Sequence, residues 1–170
     1  MSELLARNIM SAGDSFDNYQ ALALQALKKG NAADLVDAFN VLLASIPYDD
    51  FAGAGQLNVK INSLDISVQE WLYRSSILAF LRGCEVTTVA EMHTNLGRPD
   101  LVIEHGGNTF AVELRVAYKP EDVPAKLAAA VKQIGDKNYL GPYFNAVGVA
   151  MVIDNGKRLI TADKKVVAED

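Results

Sequence analysis

GRPDLVIEHGGNTFAVELRV, residues 97–116, decides the fold. At its centre stands Gly106-Gly107. A two-residue type I′ hairpin turn needs positive φ at both central positions, which glycine adopts without steric cost. Such a turn sets the register of the flanking strands. His105 opposes Asn108, and the ladder continues through Glu104 with Thr109, Ile103 with Phe110, Val102 with Ala111, and Leu101 with Val112. The next pair is Asp100 with Glu113. Side-chain alternation sends Leu101, Ile103, Phe110, Val112, Leu114 and Val116 to one apolar face that packs on the core, and Asp100, Glu113 and Arg115 to the other.

Directly opposed residues have Cβ atoms about 4.5 to 5.5 Å apart, a spacing at which like charges destabilise the pair. Three things could relieve Asp100 and Glu113: a proton on one carboxylate, neutralisation by Arg115 or Arg98, or a divalent cation between them. A cation explains most, because hard carboxylate oxygens are what Mg²⁺ and Mn²⁺ prefer. Two converging carboxylates, completed by waters or substrate phosphates, are the usual Mg²⁺ arrangement. The competing reading is an Arg-Asp-Glu surface cluster on an exposed sheet face. Glu91, in the preceding apolar stretch VTTVAEM (86–92), adds a third acid, so one sheet edge could hold three carboxylates.

Outward from the hairpin, the pattern is α/β. FDNYQALALQALKKG (16–30) has apolar positions at helical spacing and ends on glycine. Asn31 is placed as the N-cap of a second helix that ends before Pro47. Residues 48–62, with Gly53, Gly55 and no clear period, read as a loop and a boundary. A third helix is expected from Asp65 to Arg82, stopped by Gly83, with Ile66, Leu72, Ile77, Leu78, Phe80 and Leu81 as its apolar surface. Its Glu70 and Arg74 form an i,i+4 pair that a solvated contact would explain. Strands follow at about 85–92, 99–105 and 109–116, then a helix over about 122–139. The unbroken apolar run AVGVAMVI (146–153) reads as a strand buried on both faces. KRLITADKKVV (157–167) reads as an edge strand whose lysines discourage further pairing. A strand, a helical crossover and a strand imply parallel pairing, so the sheet should be mixed, with helices on it. The expected organisation is a helical N-terminal extension and loop over 1–62 and an α/β domain over 63–170.

At 170 residues and 50% hydrophobic, the chain is long enough to bury a sizeable core. The net charge of −5 weighs against a tight nonspecific nucleic-acid binder without excluding local basic patches. Cys84 is the single cysteine, so neither a disulfide framework nor a cysteine zinc site can form within one chain, and a small buried hydrophobe is the expected role. No run approaches the ~18 apolar residues of a membrane span, and the N-terminus lacks a basic region followed by an apolar stretch. A cytoplasmic protein is expected.

The quoted residues resemble the PD-(D/E)xK nuclease superfamily, whose signature is Pro-Asp followed one strand later by Glu-x-Lys. Pro99-Asp100 gives the first half and Glu113-Leu114-Arg115 the second. The wording is closer still to the nuclease-like domain found at the C-terminus of bacterial AAA-ATPase-like proteins. It runs through EWLYRSSILAFLRG, EMHTNLGRPDLVI, FAVELRV and KQIGDKNY, and extends upstream to ASIPYDD. The resemblance implies a restriction-endonuclease-like core of helix, three-strand meander, helix and strand. It implies Mg²⁺ or Mn²⁺ held by Asp100, Glu113 and the Leu114 carbonyl. Glu91 would assist through water and Gln133 would orient the site, with Glu70 a weaker candidate. An ATPase domain or partner is implied as well, although no Gly-x-x-x-x-Gly-Lys-Ser/Thr phosphate loop occurs in these residues.

Arg115 departs from the pattern. Lysine can position water and move a proton once its pKa falls, whereas arginine stays charged and prefers a bidentate carboxylate or phosphate. Arg115 could therefore clamp the acids and disable the site, or hold the scissile phosphate. Arg98, Lys126 and Lys137 are the candidate nucleic-acid contacts, Lys126 and Lys137 sharing a helix face with Gln133. His93 could approach the site, His105 is expected in solvent, and Trp71 and Tyr73 are expected to pack. The function expected is metal-dependent hydrolysis of nucleic-acid phosphodiesters, DNA before RNA, by a monomer or homodimer. The alternative is a degenerate nuclease fold serving as a nucleic-acid or protein binding module.

Overall fold

The structure, a computed structural model, describes residues 15–46, 58–61, 64–90, 98–143 and 145–167. Two helices come first, α1 (Ser15–Lys29) and α2 (Ala32–Ser45). Asn31 caps α2 as expected, its side chain accepting from the amides of Ala33 at 3.0 Å and Asp34 at 3.4 Å. From residue 58 the chain departs from expectation: β1 (Asn58–Ile61) and β2 (Leu64–Ser67) pair antiparallel. The next helix, α3 (Val68–Gly83), accordingly starts three residues later than the pattern suggested. Asn-Val-Lys-Ile and Leu-Asp-Ile-Ser do alternate polar and apolar residues, but four residues are too few for the period to stand out.

The rest follows the expected order: β3 (Thr87–Ala90), β4 (Leu101–His105), β5 (Asn108–Ala117), a 3-10 turn (Pro120–Asp122), α4 (Val123–Asp136), β6 (Ala146–Asp154) and β7 (Leu159–Val167). Five strands form one sheet in the order β3-β4-β5-β6-β7. All neighbours run antiparallel except β5 and β6, which are parallel and joined through α4. The sheet is mixed, with β7 at an edge.

The hairpin register is the expected one from His105–Asn108 to Leu101–Val112. Gly106 and Gly107 have φ of +59° and +82°, the left-handed backbone a type I′ turn requires. The turn also docks on α1. Asn108 Nδ2 donates to the Leu27 and Lys28 carbonyls, 3.0 Å each, satisfying acceptors that a helix C-terminus leaves open. A Cβ on Gly106 would lie 3.2 Å from Lys28 Cα.

Leu101, Ile103, Phe110, Val112, Leu114 and Val116 lie in one core with Val149, Met151 and Ile153 of β6. Leu27 of α1, Phe39 of α2 and Ile77 of α3 belong to that core too, so the N-terminal helices pack directly on the sheet system. Each such side chain contributes about 1.5–3 kcal/mol by leaving water. Asn40 of α2 adds a two-bond clamp on β7, donating to the Ile160 carbonyl at 3.1 Å and accepting from its amide at 2.7 Å. The clamp sits beside the register shift in the β6–β7 ladder.

The other sheet face is covered as well. Ala111 and Ala150 pack against Ala130 and Ile134 of α4 and against Tyr139 and Leu140 after it. Small residues let the helix approach: a Cβ on Gly148 would stand 2.8 Å from Ile134 Cγ2. This overturns the exposed-face reading of the acidic cluster, because Glu113, on that face with Ala111, is buried, and Arg115 beside it reaches Gln133 of α4. No described helix is long and apolar enough to cross a membrane.

Candidate functional site

The β4–β5 ladder ends one pair earlier than expected. Asp100 lies in a bend just before β4, and no backbone pairing joins it to Glu113. Its side chain meets β5 instead: Oδ2 accepts from the Leu114 amide at 2.7 Å. Proline explains the change. Alternation would make Pro99 the residue that exchanges both ladder bonds with Leu114, but proline has no N–H to donate. Asp100 takes over the Leu114 amide, and the Leu114 carbonyl is left for a donor that is not part of the ladder.

Arg115 supplies that donor. Its Nη1 lies 2.8 Å from the Leu114 carbonyl oxygen and 2.6 Å from Glu113 Oε1. The same nitrogen is 3.8 Å from Asp100 Oδ2 and 4.0 Å from Glu70 Oε1. Four oxygens therefore gather around one guanidinium nitrogen. Glu70 comes from the first turn of α3. One turn on, Arg74 is buried and its Nη1 contacts Asp100 Oδ1 at 3.4 Å, so it belongs to the cluster and is no solvated surface residue.

Burial dominates the electrostatics. It raises the Glu113 carboxyl to about 9, aided by Asp100 and opposed by Arg115. Glu70 rises to about 7 for the same reason, with Asp100 again adding and Arg115, Arg74 and Lys126 subtracting. Asp100 is also raised by burial, against the Leu114 amide and the two arginines. Burial works against the charge on Arg115, yet Glu113, Asp100 and Glu70 together hold the guanidinium above its ordinary value. Two neighbouring buried carboxyls with raised values retain protons as a pair. Side-chain exposure grows from 1% at Glu113 and 13% at Asp100 to 21% at Glu70 and 23% at Arg115, so the cluster opens to solvent on its Glu70–Arg115 side.

Helix α4 brings Gln133 against Arg115. Arg115 Nη2 donates to Gln133 Oε1 at 2.5 Å. Gln133 Nε2 donates to the Tyr139 hydroxyl at 2.9 Å, which in turn donates to the Arg98 carbonyl at 2.8 Å. The chain of contacts runs from the guanidinium to the backbone just ahead of Pro99-Asp100. Lys126 is near enough for its charge to lower the Glu70 value. Lys137 is exposed at the end of α4, and Arg98 is half-buried. Glu91 and His93 lie outside the described residues. His105 is half-buried beside the turn, Cys84 is buried, and Tyr73 packs fully in the core, whereas Trp71 is 40% exposed.

Arg74 and Tyr139 were not legible as site residues. An Arg four after a Glu on a helix looks the same in sequence whether solvated or buried. The spacing of Tyr139, six beyond Gln133, acquires meaning only when the chain turns back after α4.

The divalent cation implied by the family resemblance is compatible with these donors. Glu70, Asp100, Glu113 and the Leu114 carbonyl are hard oxygens suited to Mg²⁺ or Mn²⁺. Glu113 Oε2 is buried with no hydrogen-bond partner, an atom that a further cation would satisfy. No group of three or more His, Cys, Asp or Glu among the described residues is arranged to hold a metal. Arg115 Nη1 stands among these oxygens, so a metal there would require the guanidinium to move aside. No family model and no curated protein matches the chain.

Proposed function

We propose that this chain is a nuclease-like domain with a restriction-endonuclease-like core that hydrolyses nucleic-acid phosphodiesters, DNA in the first instance, with Mg²⁺ or Mn²⁺. The observation that carries the reading is the convergence of Glu70, Asp100, Glu113 and the Leu114 carbonyl at the end of a Pro-Asp…Glu-x-Arg hairpin. Asp100, Glu113 and the Leu114 carbonyl would hold the cation, with Glu70 on the solvent side. A divalent cation supplies polarisation of a phosphoryl oxygen and a more acidic attacking water. Glu70, at the open side, would orient that water. Arg115 has the planar fork that matches two phosphate oxygens. Gln133 and Tyr139 hold the guanidinium among the acids when no metal is present, and the fork would reach phosphate once turned out of the cluster. Lys126 would neutralise a neighbouring backbone phosphate, and Arg98 and Lys137 would contact phosphates farther along. Glu91 keeps the role of an assisting acid that the resemblance gives it, as an ATPase domain or partner does.

Cleavage of DNA and RNA oligonucleotides, single- and double-stranded, tests the reading. Wild-type protein is expected to cut with Mn²⁺, to stop on chelation, and to lose cleavage in Asp100→Ala. Folded wild-type protein that cuts none of these substrates with Mn²⁺ or Mg²⁺ contradicts it.

A second reading, a degenerate fold used as a nucleic-acid or protein binding module, is favoured by the 2.6 Å pairing of Arg115 with Glu113. It expects nucleic-acid or protein binding indifferent to divalent cations, and cleavage that appears only in Arg115→Lys.

A further inference from the structure

We propose that Arg115 is the resident cation of this site, and that its guanidinium and a divalent metal are alternative occupants of the same place. The identity of the second occupant rests on the nuclease reading, whereas the first rests on geometry alone. A single nitrogen, Arg115 Nη1, meets Glu113 Oε1 at 2.6 Å and the Leu114 carbonyl at 2.8 Å, and faces Asp100 Oδ2 at 3.8 Å and Glu70 Oε1 at 4.0 Å. Those are the oxygens a metal would use. Arg115 Nη1 occupies the point on which these oxygens converge, and a metal ion at that point would overlap it. Both cannot be present together.

The opposite edge of the guanidinium shows how the occupant is held. Nη2 is bound by Gln133, and Gln133 is bound by Tyr139, so α4 keeps the fork turned toward the carboxylates. The side chain is 23% exposed and stands at the open side of the cluster, which leaves a way out that does not cross the core. Glu113 Oε2 is buried and without a partner, so the guanidinium leaves one carboxyl oxygen of Glu113 unengaged. A metal, able to bridge carboxylate oxygens, would engage it. The arginine at this position therefore keeps the acidic cluster assembled when metal is scarce and sets a threshold that metal must exceed to enter.

Calorimetric titration with MnCl₂ and thermal unfolding, with guanidinium chloride as a second probe, test this on wild type, Arg115→Ala and Arg115→Lys. Removing a competing charge-assisted contact is expected to tighten Mn²⁺ binding in Arg115→Ala by about tenfold or more over wild type. Low-millimolar guanidinium chloride should raise the melting temperature of Arg115→Ala, leave wild type unchanged, and weaken Mn²⁺ binding to the alanine variant. Should the alanine variant not fold, Arg115→Lys answers the same question. It keeps a positive charge but lacks the fork that reaches Gln133, so its Mn²⁺ affinity should also exceed that of wild type.

Equal Mn²⁺ affinity in wild type and variants, or guanidinium and Mn²⁺ binding side by side to Arg115→Ala, overturns the proposal. If wild type then still binds Mn²⁺ through Asp100 and Glu113, the nuclease reading survives that result. Absence of Mn²⁺ binding in wild type and both variants overturns the exchange and the metal reading together.

Discussion

Arg115 Nη1 stands 2.6 Å from Glu113 Oε1, in a place where only 1% of the glutamate side chain is exposed. A buried pair of this kind adds little net stability over apolar residues of similar shape, but removing one member strands the other. At pH 10, above the raised Glu113 value of about 9, Arg115→Ala should destabilise the protein by about 3–5 kcal/mol in urea unfolding without metal. Adding Glu113→Gln to that variant should restore part of the loss, because a neutral amide needs no counter-charge. A double variant no more stable than Arg115→Ala alone would show that Glu113 is not the group left stranded.

The pH dependence follows from the raised carboxyls. Glu113 and Glu70 move from an ordinary 4.5 to about 9 and about 7. Between the ordinary and raised values the folded chain retains protons that the unfolded chain has released. Their contribution is thus complete below pH 4.5 and lost as pH rises, through about 7 for Glu70 and about 9 for Glu113. Each group contributes a slope of at most about 1.4 kcal/mol per pH unit. Urea midpoints should fall from pH 5 to pH 9 without divalent cation, and Glu113→Gln should flatten the decline. Midpoints that rise over this range contradict the assignment.

Tyr139 links α4 to the backbone ahead of Asp100 through one hydroxyl. Tyr139→Phe retains the buried ring but removes the hydroxyl that accepts from Gln133 Nε2 and donates to the Arg98 carbonyl. A loss of about 1–3 kcal/mol is expected in urea unfolding. No loss would mean that solvent replaces the hydroxyl and that Gln133 is not fixed by it.

The turn glycines should differ. Both Gly106 and Gly107 have positive φ, so alanine at either costs about 1–2 kcal/mol for the left-handed backbone. Only at Gly106 does a Cβ also press on α1, at 3.2 Å from Lys28 Cα, while nothing lies within 4 Å of a Cβ at Gly107. Gly106→Ala should therefore lower the melting temperature more than Gly107→Ala. Equal effects would contradict the docking of the turn on α1.

The parts of the fold written in local chemistry were legible in the sequence. Gly106-Gly107 set a register, Asn31 a helix start, and AVGVAMVI a buried strand, because each is decided by a few adjacent residues. The β1–β2 hairpin was lost because its strands are four residues long. The nearness of Asp100, Glu113 and Arg115 was legible in the hairpin, that of Gln133 came from the resemblance, and the burial of the cluster was legible in neither. Alternation correctly put Glu113 and Arg115 on the face opposite the main core, yet only the return of the chain through α4 buries that face. Nor does alternation reveal that Pro99 ends the ladder, which turns Asp100 from a cross-strand partner of Glu113 into a side-chain acceptor for Leu114.

An anomalous difference map from a crystal of the wild-type protein grown with millimolar Mn²⁺ tests the metal site most directly. One peak should appear among Glu70, Asp100, Glu113 and the Leu114 carbonyl, with the Arg115 guanidinium turned out of the cluster. A map at full Mn²⁺ exposure with no peak there, and Arg115 Nη1 still between Glu113 and Leu114, would contradict it.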